Sequence, residues 1–340
     1  MSTLHPSRLL DLQDIAPAKA GTDLLGSVCY GVPLAQDQAA VNAPLPVLPA
    51  GGATYTTWLS SGPFVQGQQG ALSWCHNEHV LFGSICLREA DFSAAGNVSV
   101  LQQLSQAAYE AVFAALQTTG FAYLARCWNY LPRINLDGGG LERYRQFNIG
   151  RQDAFIAAGQ AWLAGSPSAC ALGSSSGDFI LYFLASRVAP LAIENPRQIS
   201  AYRYPQRYGP RSPTFSRASL LTLPGQEVLF ISGTASIVGH ESLHPGDVAA
   251  QTEETLRNID VVVEQANLKS ALGGFSARDL ILKVFVRHAV DLPVVAGILA
   301  ERLGEGLEAI YLQADICRAE LLVEIEAFGF RDALPPKENP

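Results

Sequence analysis

The segment AIYLQADICRAELLVEIEAF, residues 309–328, contains two strand patterns on either side of a short turn at residues 319–320. In its second half, residues 321–328, one face is apolar throughout, and the other face mixes polar and apolar side chains and carries Glu324. A two-residue turn predicts a hairpin, which would make Cys317 and Glu324 diagonal neighbours about 7 Å apart on one face. That face is either a reaction centre with a thiol and a carboxyl group or a solvated outer face with a chance cysteine.

The composition bounds the class of protein. At 340 residues the chain suits one large or two medium domains, and 48% hydrophobic residues are enough for a sizeable core. The net charge of −8 argues against a nucleic-acid partner. No stretch reaches about 18 uninterrupted apolar residues and the first residues show no signal peptide, so we expect no membrane segment. The six cysteines form no CxxC pair, which is typical of reduced thiols and predicts a cytoplasmic protein.

The two halves of the chain repeat one order of elements. The strand pattern VLFGS at 80–84 returns as VLFIS at 228–232, and each copy is followed by an amphipathic helix, a strand and a second helix. The predicted helices are 100–117 and 141–163 in the first half and 249–268 and 292–303 in the second. This order predicts an α+β fold with mixed sheets and helices on one face, divided into units 1–170 and 171–340.

The sequence HESLH at residues 240–244 matches the zinc-binding pattern HExxH. That pattern binds zinc only on a helix, where both histidines share one face. Here it follows Gly239 and runs into Pro245 and Gly246, which predicts a turn and no metal site. The chain also lacks the glycine-rich patterns of nucleotide-binding loops, so no nucleotide cofactor is expected.

The densest polar feature is YRYPQRYGPRSPTFSR at residues 202–217, with three tyrosines and four arginines. Arginine binds carboxylates through paired hydrogen bonds, so this loop suits a small ligand with more than one carboxylate. The alternative is a surface loop with salt bridges. A second group, Tyr144, Phe147 and Arg151, falls on one helical face, where it either binds a ligand or packs. The small residues at 233–236 either leave room for a ligand or form a tight strand end.

Several of these stretches resemble two related families. Residues 219–328 resemble the RidA (YjgF) family in VLFISGTAS, ETLRNIDVVVEQA, LILKVFV and LLVEIEAF. The wider sequence is similar to the chorismatases, also described as pteridine-dependent dioxygenase-like, over most of residues 120–328. The matching stretches are CWNYLPRIN, LERYRQFNIGR, ENPRQISAYRYPQRYGPRSPTFSRA, SGTASIVGHES and LLVEIEAF. The resemblance implies two tandem RidA/YjgF-like units of the chorismate-mutase-like type, without a metal or an organic cofactor.

The chorismatase resemblance implies the chemistry and most of the site. Chorismatases act on chorismate, a dicarboxylate with an enolpyruvyl ether, and release pyruvate. The family glutamate falls on Glu324, which would protonate the methylene carbon of the enol ether. An apolar surrounding would raise the pKa of this carboxyl group as a general acid requires. The resemblance places carboxylate binding on Arg151, Tyr208 and Arg217, then on Tyr144, Arg203 and Tyr204, with Gly233 and Ala235 beside the substrate.

Cys317 bears on the product. Chorismatases that form hydroxybenzoate resemble this sequence in having a cysteine seven residues before the glutamate, which predicts 3-hydroxybenzoate, alone or with 4-hydroxybenzoate. Ala235 lies where the subtypes differ and leaves a hydrolytic product, a dihydroxycyclohexadienoate, open. The competing hypotheses are a RidA-like imine hydrolase or small-molecule binder and a zinc hydrolase built on HESLH. A duplicated chain of this kind is expected to be either a monomer or a trimer.

Overall fold

Three β-sheets surround one core in the computed structural model, which describes residues 5, 8–32, 40–94, 96, 98–160 and 165–333. The small sheet has the strand order β1 (Leu10–Gln13), β5 (Thr54–Ser60), β2 (Leu24–Tyr30) and β3 (Val41–Ala43). The six-stranded sheet has the order β10 (Ser168–Ser174), β9 (Tyr123–Pro132), β11 (Phe179–Ser186), β8 (Val80–Leu87), β7 (Leu72–His76) and β6 (Val65–Gln69).

The seven-stranded sheet forms the second half. Its strand order is β12 (Leu191–Ile193), β13 (Ala218–Leu223), β14 (Gln226–Thr234), β19 (Val323–Asp332), β17 (Ile281–Val286), β18 (Ala309–Gln313) and β4 (Val47–Leu48). A separate two-stranded hairpin pairs β15 (Ile237–Val238) with β16 (Glu241–Ser242). The helices are α1 (Pro17–Ala20), α2 (Val100–Thr119), α3 (Arg143–Ala157), α4 (Val248–Asn267) and α5 (Leu292–Leu303).

Each large sheet carries two helices on its outer face. The apolar faces of α2 and α3 pack on the six-stranded sheet, and those of α4 and α5 pack on the seven-stranded sheet. Ser99 caps the start of α2 by accepting a hydrogen bond from the Gln102 backbone N–H, and Gly120 ends the helix in the left-handed conformation with φ 73°. The predicted α+β class, with mixed sheets and helices on one face, is confirmed.

The inner faces of all three sheets meet in a central core. Trp58 of the small sheet, Trp128 of the six-stranded sheet and Phe328 of the seven-stranded sheet have ring centroids 5.6–6.2 Å apart. Large buried aromatic rings contribute much of the apolar area removed from water, so these contacts join the two halves as well as filling the core. In β19, Val323 and the alternate residues face the helices, while Glu324 and its alternates face this core.

The predicted hairpin at 309–328 is wrong. β18 and β19 are separated by β17, which runs parallel to β18 and antiparallel to β19. The intervening residues are drawn away from the seven-stranded sheet because Asp315 forms two backbone hydrogen bonds with Gly173 of β10, of 2.7 and 2.9 Å. Both faces of β19 are buried, so the solvated outer face considered from the sequence does not occur.

Two predicted boundaries differ from the structure. α3 ends at Ala157, and the last residues of the predicted helix, 161–163, lie outside the described residues. The boundary predicted at residue 170 falls within β10, and the change from the six-stranded to the seven-stranded sheet comes between Ser186 and Leu191. The division into units 1–170 and 171–340 stays a prediction. All six cysteines are free thiols. Within the described ranges, no helix is long and apolar enough to cross a membrane.

Candidate active site

A cavity of about 220 Å³ opens between the two large sheets. Its lining combines β14 and β19 with the start of α3, the 198–217 loop and the turn before β19. The lining residues are Glu142, Tyr144, Arg145, Gln198, Tyr204, Tyr208, Pro213, Phe215, Arg217, Gly233, Ala235, Ile237, Cys317, Arg318, Ala319, Glu320 and Glu324. Aromatic walls with a few convergent polar groups are typical of small-molecule sites.

Glu324 lies at the deep end of this cavity and is only 3% exposed. Burial raises the pKa of its carboxyl group to about 8, and repulsion by Glu326 adds to the increase, against the opposing attraction of Arg126 and Arg287. Among the residues that the structure describes, none forms a salt bridge with Glu324. Glu324 is therefore a neutral acid at pH 7, with a proton to give to a bound molecule.

Glu326, two residues along the same face, is in the opposite state. Burial alone would raise its pKa, but Lys283 and Arg126 outweigh this effect and lower the pKa. Lys283 Nζ lies 2.8 Å from Glu326 Oε1, Arg126 forms an ion pair with Oε2, and Trp128 Nε1 donates to Oε1 at 3.2 Å. Glu326 therefore stays ionised, and its negative charge favours the protonated form of its neighbour.

Gly233 makes room for the Glu324 carboxyl group. A Cβ atom at position 233 would lie 1.8 Å from Glu324 Oε1 and 3.1 Å from Cys170 Cβ. The pairing of β14 with β19 shifts register between Ile231 and Thr234, so Gly233 lies in an irregular stretch beside the acid. The space between Gly233 of β14, Cys170 of β10 and the Glu324 carboxyl group is therefore too narrow for a side chain at position 233.

Cys317 reaches the same cavity from the turn that precedes β19. Burial raises the pKa of the Cys317 thiol to about 12, and the nearby Glu324 adds to this increase. The group is therefore a neutral thiol at pH 7, with little nucleophilic character. The predicted hairpin is wrong, yet the predicted proximity of Cys317 and Glu324 holds, because both line the same inner part of the cavity.

Arginine and tyrosine side chains form the opposite wall. Arg217 Nη2 donates to Tyr204 Oη at 2.9 Å and to the Ile199 carbonyl at 2.9 Å. The guanidinium of Arg318 lies 4.2 Å from the ring centroid of Tyr208 and 5.4 Å from that of Tyr204. These stacked cations face the cavity with hydroxyl groups beside them, an arrangement that suits a carboxylate ligand.

Arg151 lies behind this wall, next to a small void of about 30 Å³ that continues the cavity past Glu324. It is 2% exposed, and its guanidinium carbon lies 5.0 Å from the ring centroid of Tyr109. In the described part of the chain, Nε and Nη2 of Arg151 have no hydrogen-bond partner. A buried guanidinium with two unpaired nitrogens is costly, so its position favours pairing with an anionic group of a ligand.

Known proteins share this architecture. The family model for chorismatase FkbO/Hyg5-like, N-terminal, matches residues 56–185. A chorismatase of Streptomyces rapamycinicus is 42% identical over 276 residues, which cover 79% of this chain and 80% of that protein. The chain belongs to the chorismatase family. A 3-hydroxybenzoate synthase of Streptomyces hygroscopicus is 36% identical over 285 residues, 79% of each chain.

The fold of a chorismatase extends over nearly the whole chain. A chorismatase crystal structure at 1.08 Å resolution is 32% identical, with a TM-score of 0.82, and covers 94% of this chain and 97% of that one. The match confirms the predicted chorismatase architecture.

Most of the residues that the sequence proposed for the chorismatase site meet in one place. Eight line the cavity: Tyr144, Tyr204, Tyr208, Arg217, Gly233, Ala235, Cys317 and Glu324. Arg151 lines the inner void. Arg203 differs, because its side chain is exposed and its guanidinium lies 5.8 Å from the ring centroid of Tyr202, outside the cavity lining.

Sequence reasoning missed Arg318, which stacks on two cavity tyrosines. Its one signal was adjacency to Cys317, because neighbours in a tight turn often reach one site. Arg287 was also missed, although its charge acts on Glu324. Arg287 directly follows the buried strand β17 and belongs to no recognisable motif, so the local sequence does not indicate that it acts on the site.

The HESLH segment is a turn, as predicted, and not a helix. Residues 237–242 form the β15–β16 hairpin, and His244 has a left-handed φ of 57°. Arg207 Nη2 lies 2.9 Å from His240 Nδ1 and donates to Glu241 Oε1 at 2.9 Å. No group of three histidine, cysteine, aspartate or glutamate residues in the described ranges could hold a metal ion.

Proposed function

We propose that this chain is a chorismatase that converts chorismate into 3-hydroxybenzoate and pyruvate, with Glu324 as the proton donor. The observation that carries the proposal is a buried carboxyl group, with a pKa of about 8, at the end of a cavity lined by arginine and tyrosine. The family membership supports it, as does the 36% identity to a protein named 3-hydroxybenzoate synthase.

The cavity suits a dicarboxylate with an acid-sensitive ether. Arg217 and Tyr204 at the wall and Arg151 at the inner void would hold the two carboxylates of chorismate through charge-assisted hydrogen bonds. With the substrate anchored at both ends, the methylene carbon of the enolpyruvyl group would face Glu324. Holding reacting atoms in position supplies a large part of the catalytic effect.

Proton transfer then drives the reaction. Protonated Glu324 gives its proton to the methylene carbon, and positive charge develops at the ether carbon of the pyruvyl group. In the lyase reaction the bond between the ether oxygen and the ring carbon breaks, this oxygen becomes the keto oxygen of pyruvate, and the ring keeps its hydroxyl oxygen and loses a proton as it becomes aromatic. In the hydrolytic reaction water attacks the pyruvyl carbon, and the ether oxygen stays on the ring as a hydroxyl group. In the lyase reaction all atoms of chorismate are shared between hydroxybenzoate and pyruvate, whereas the hydrolytic reaction also takes up a water molecule. General acid catalysis of this kind contributes on the order of 10²–10⁴ in rate.

Cys317 is the residue that we propose to favour 3-hydroxybenzoate. Its neutral thiol lines the same inner part of the cavity as Glu324, where it would lie close to the ring of a bound chorismate. Ala235 also lines the cavity. Because the subtypes differ in the region of this residue, the hydrolytic product remains the second candidate. We also propose 4-hydroxybenzoate as a second aromatic product beside 3-hydroxybenzoate.

The test is to incubate the purified protein with chorismate, to measure pyruvate with a coupled assay and to separate the aromatic products by chromatography. We expect pyruvate in an amount equal to the sum of 3-hydroxybenzoate and 4-hydroxybenzoate, with 3-hydroxybenzoate present and with unchanged rates in the presence of a metal chelator. Pyruvate release no faster than the uncatalysed background refutes the proposal. Pyruvate with a dihydroxycyclohexadienoate as the main product refutes the assignment to the 3-hydroxybenzoate-forming type.

A further inference from the structure

The turn between β18 and β19, residues 314–322, carries Cys317. Gln251 of α4 holds the end of this turn through the Glu320 carbonyl and the Leu322 N–H, at 2.9 and 2.7 Å, and Arg287 binds the part around Cys317. Arg287 Nη2 donates to the carbonyls of Ile316 at 3.1 Å and Arg318 at 2.9 Å. These two carbonyls flank Cys317 in the chain. Arg287 Nε donates to the Leu321 carbonyl at 2.7 Å, so the guanidinium fixes both the middle and the end of the turn.

The same guanidinium ties the turn to the six-stranded half. Arg287 Nη1 forms an ion pair with Asp315 Oδ1 at 2.6 Å and donates to Asn135 Oδ1 at 3.2 Å. Asn135 Nδ2 in turn donates to the Ile316 carbonyl at 3.0 Å. Arg287 and Asn135 therefore bond the turn from the two halves, in addition to the backbone bonds of Asp315 with Gly173.

This role requires arginine. All five N–H groups of its planar fork have acceptors within reach, whereas a lysine ammonium would supply three donors from a single point. The Arg287 side chain is 10% exposed, so water replaces few of these bonds. Arg287 is absent from the cavity lining, so any effect on substrate must pass through the turn or through its charge.

We propose that Arg287 is a positioning residue that holds Cys317 at the cavity and thereby sets the proportion of 3-hydroxybenzoate among the products. The inference rests on the proposed function. Its structural part, the clamping of the turn, is independent of catalysis. A product-determining thiol acts only if it is held at a fixed distance from the reacting atoms, and shifts of about 1 Å in such groups change rates by on the order of 10².

The first measurement needs no turnover. Arg287→Lys is compared with the wild type for the rate of Cys317 alkylation by iodoacetamide, followed by peptide mass spectrometry with the exposed Cys86 thiol as internal reference. We expect at least about a tenfold rise in the Cys317 rate, since losing one charge-assisted hydrogen bond is enough for a factor of that size. Arg302→Lys is the control, because Arg302 pairs with Glu253 and Asp260 on the outer helices.

The second measurement is the product ratio from chorismate at equal total turnover. In Arg287→Lys we expect the ratio to move in the same direction as in Cys317→Ala. In a Cys317→Ala background, Arg287→Lys should cause no further change, since both substitutions act on one thiol. A merely structural role would lower the amount of active protein and leave this ratio unchanged.

The outcomes separate the two proposals. If the wild type releases no pyruvate, the proposed function fails, and Cys317 alkylation still decides the clamp. If alkylation in Arg287→Lys equals that of the wild type, the clamp is refuted. If alkylation rises but the product ratio stays the same, or changes further in the Cys317→Ala background, the link to product choice is refuted. Should Arg287→Lys not fold, Asn135→Ala removes only the Asn135 bonds to Arg287 and to the Ile316 carbonyl and is expected to shift both readouts in the same direction.

Discussion

Replacing Glu324 with glutamine should stabilise the protein while removing most of its activity. The carboxyl group is buried, and its folded-state pKa of about 8 lies above the ordinary value of 4.5. The folded state therefore binds this proton more tightly than the unfolded state. The resulting stabilisation is complete below pH 4.5 and is lost as the pH rises through about 8. Glutamine keeps the shape and does not titrate, so the variant does not suffer this loss.

The magnitude follows from the interval between the two pKa values. At about 1.36 kcal/mol for each pH unit, an interval of about 3.5 units corresponds to about 5 kcal/mol, reached above pH 8, and to about 3 kcal/mol at pH 7. The free energy of unfolding of Glu324→Gln should exceed that of the wild type by a margin that grows over this range. Turnover should fall on the order of 10²–10⁴-fold.

Urea denaturation followed by tryptophan fluorescence, at pH 5, 7 and 9, gives the free energies of unfolding for comparison. Glu301→Gln is the matched control, since it removes an exposed carboxylate from α5 and should follow the wild type. A difference between Glu324→Gln and the wild type that is the same at pH 5 and pH 9 would show that Glu324 is not a buried neutral acid. Near-normal turnover in the variant would refute its role as proton donor.

Three further outcomes are expected. The value of kcat/KM should be level below pH 8 and fall about tenfold per pH unit above it as Glu324 ionises, and a flat profile to pH 10 would contradict this. Gly233→Ala should lower single-turnover rates by on the order of 10², because the new methyl group displaces the Glu324 carboxyl group, and its circular dichroism spectrum should stay unchanged. Gly297→Ala is the control, because nothing lies within 4 Å of the Cβ atom added there. Cys317→Ala should keep pyruvate release and lower the share of 3-hydroxybenzoate, and an unchanged chromatogram would make the thiol a bystander.

The sequence predicted the elements that depend on local patterns. The helices at 100–117 and 249–268 and the strands at 80–84 and 228–232 all occur, since each has a clear periodicity. The alternation within β19 was also predictable, and it places Glu324 on the face opposite the helices.

Strand neighbours depend on contacts between distant residues, and there the sequence prediction failed. β17 separates β18 from β19, and the short turn between them is in fact pulled across to Gly173 in the other half. No local pattern records such a contact. The proximity of Cys317 to Glu324 was predicted correctly from a wrong pairing, since the turn returns to the cavity by a different path.

The sequence also does not show which arginine side chains reach the cavity. Arg203 and Arg217 stand in one Tyr/Arg stretch with similar neighbours, and only the structure separates them. Arg203 ends a short 3-10 turn and is exposed to solvent, whereas Arg217 leads into β13 and lines the cavity. The residue types alone identified residues 202–217 as a binding segment, and the direction of the backbone decides which of its arginines reach the cavity.

The pair of glutamates in VEIEAF shows how the fold assigns chemistry that the sequence leaves open. Both carboxyl groups are buried on one face of β19, and either could be the acid by position alone. Lys283 and Arg126 reach Glu326 and hold it ionised, whereas burial raises the pKa of Glu324 and the Glu326 charge adds to that increase. Two titratable groups whose surroundings drive their pKa values apart are typical of acid–base sites. Lys283 and Arg126 thus act on catalysis indirectly. Because they pair with Glu326, Glu324 is the carboxyl group that keeps a proton for the substrate.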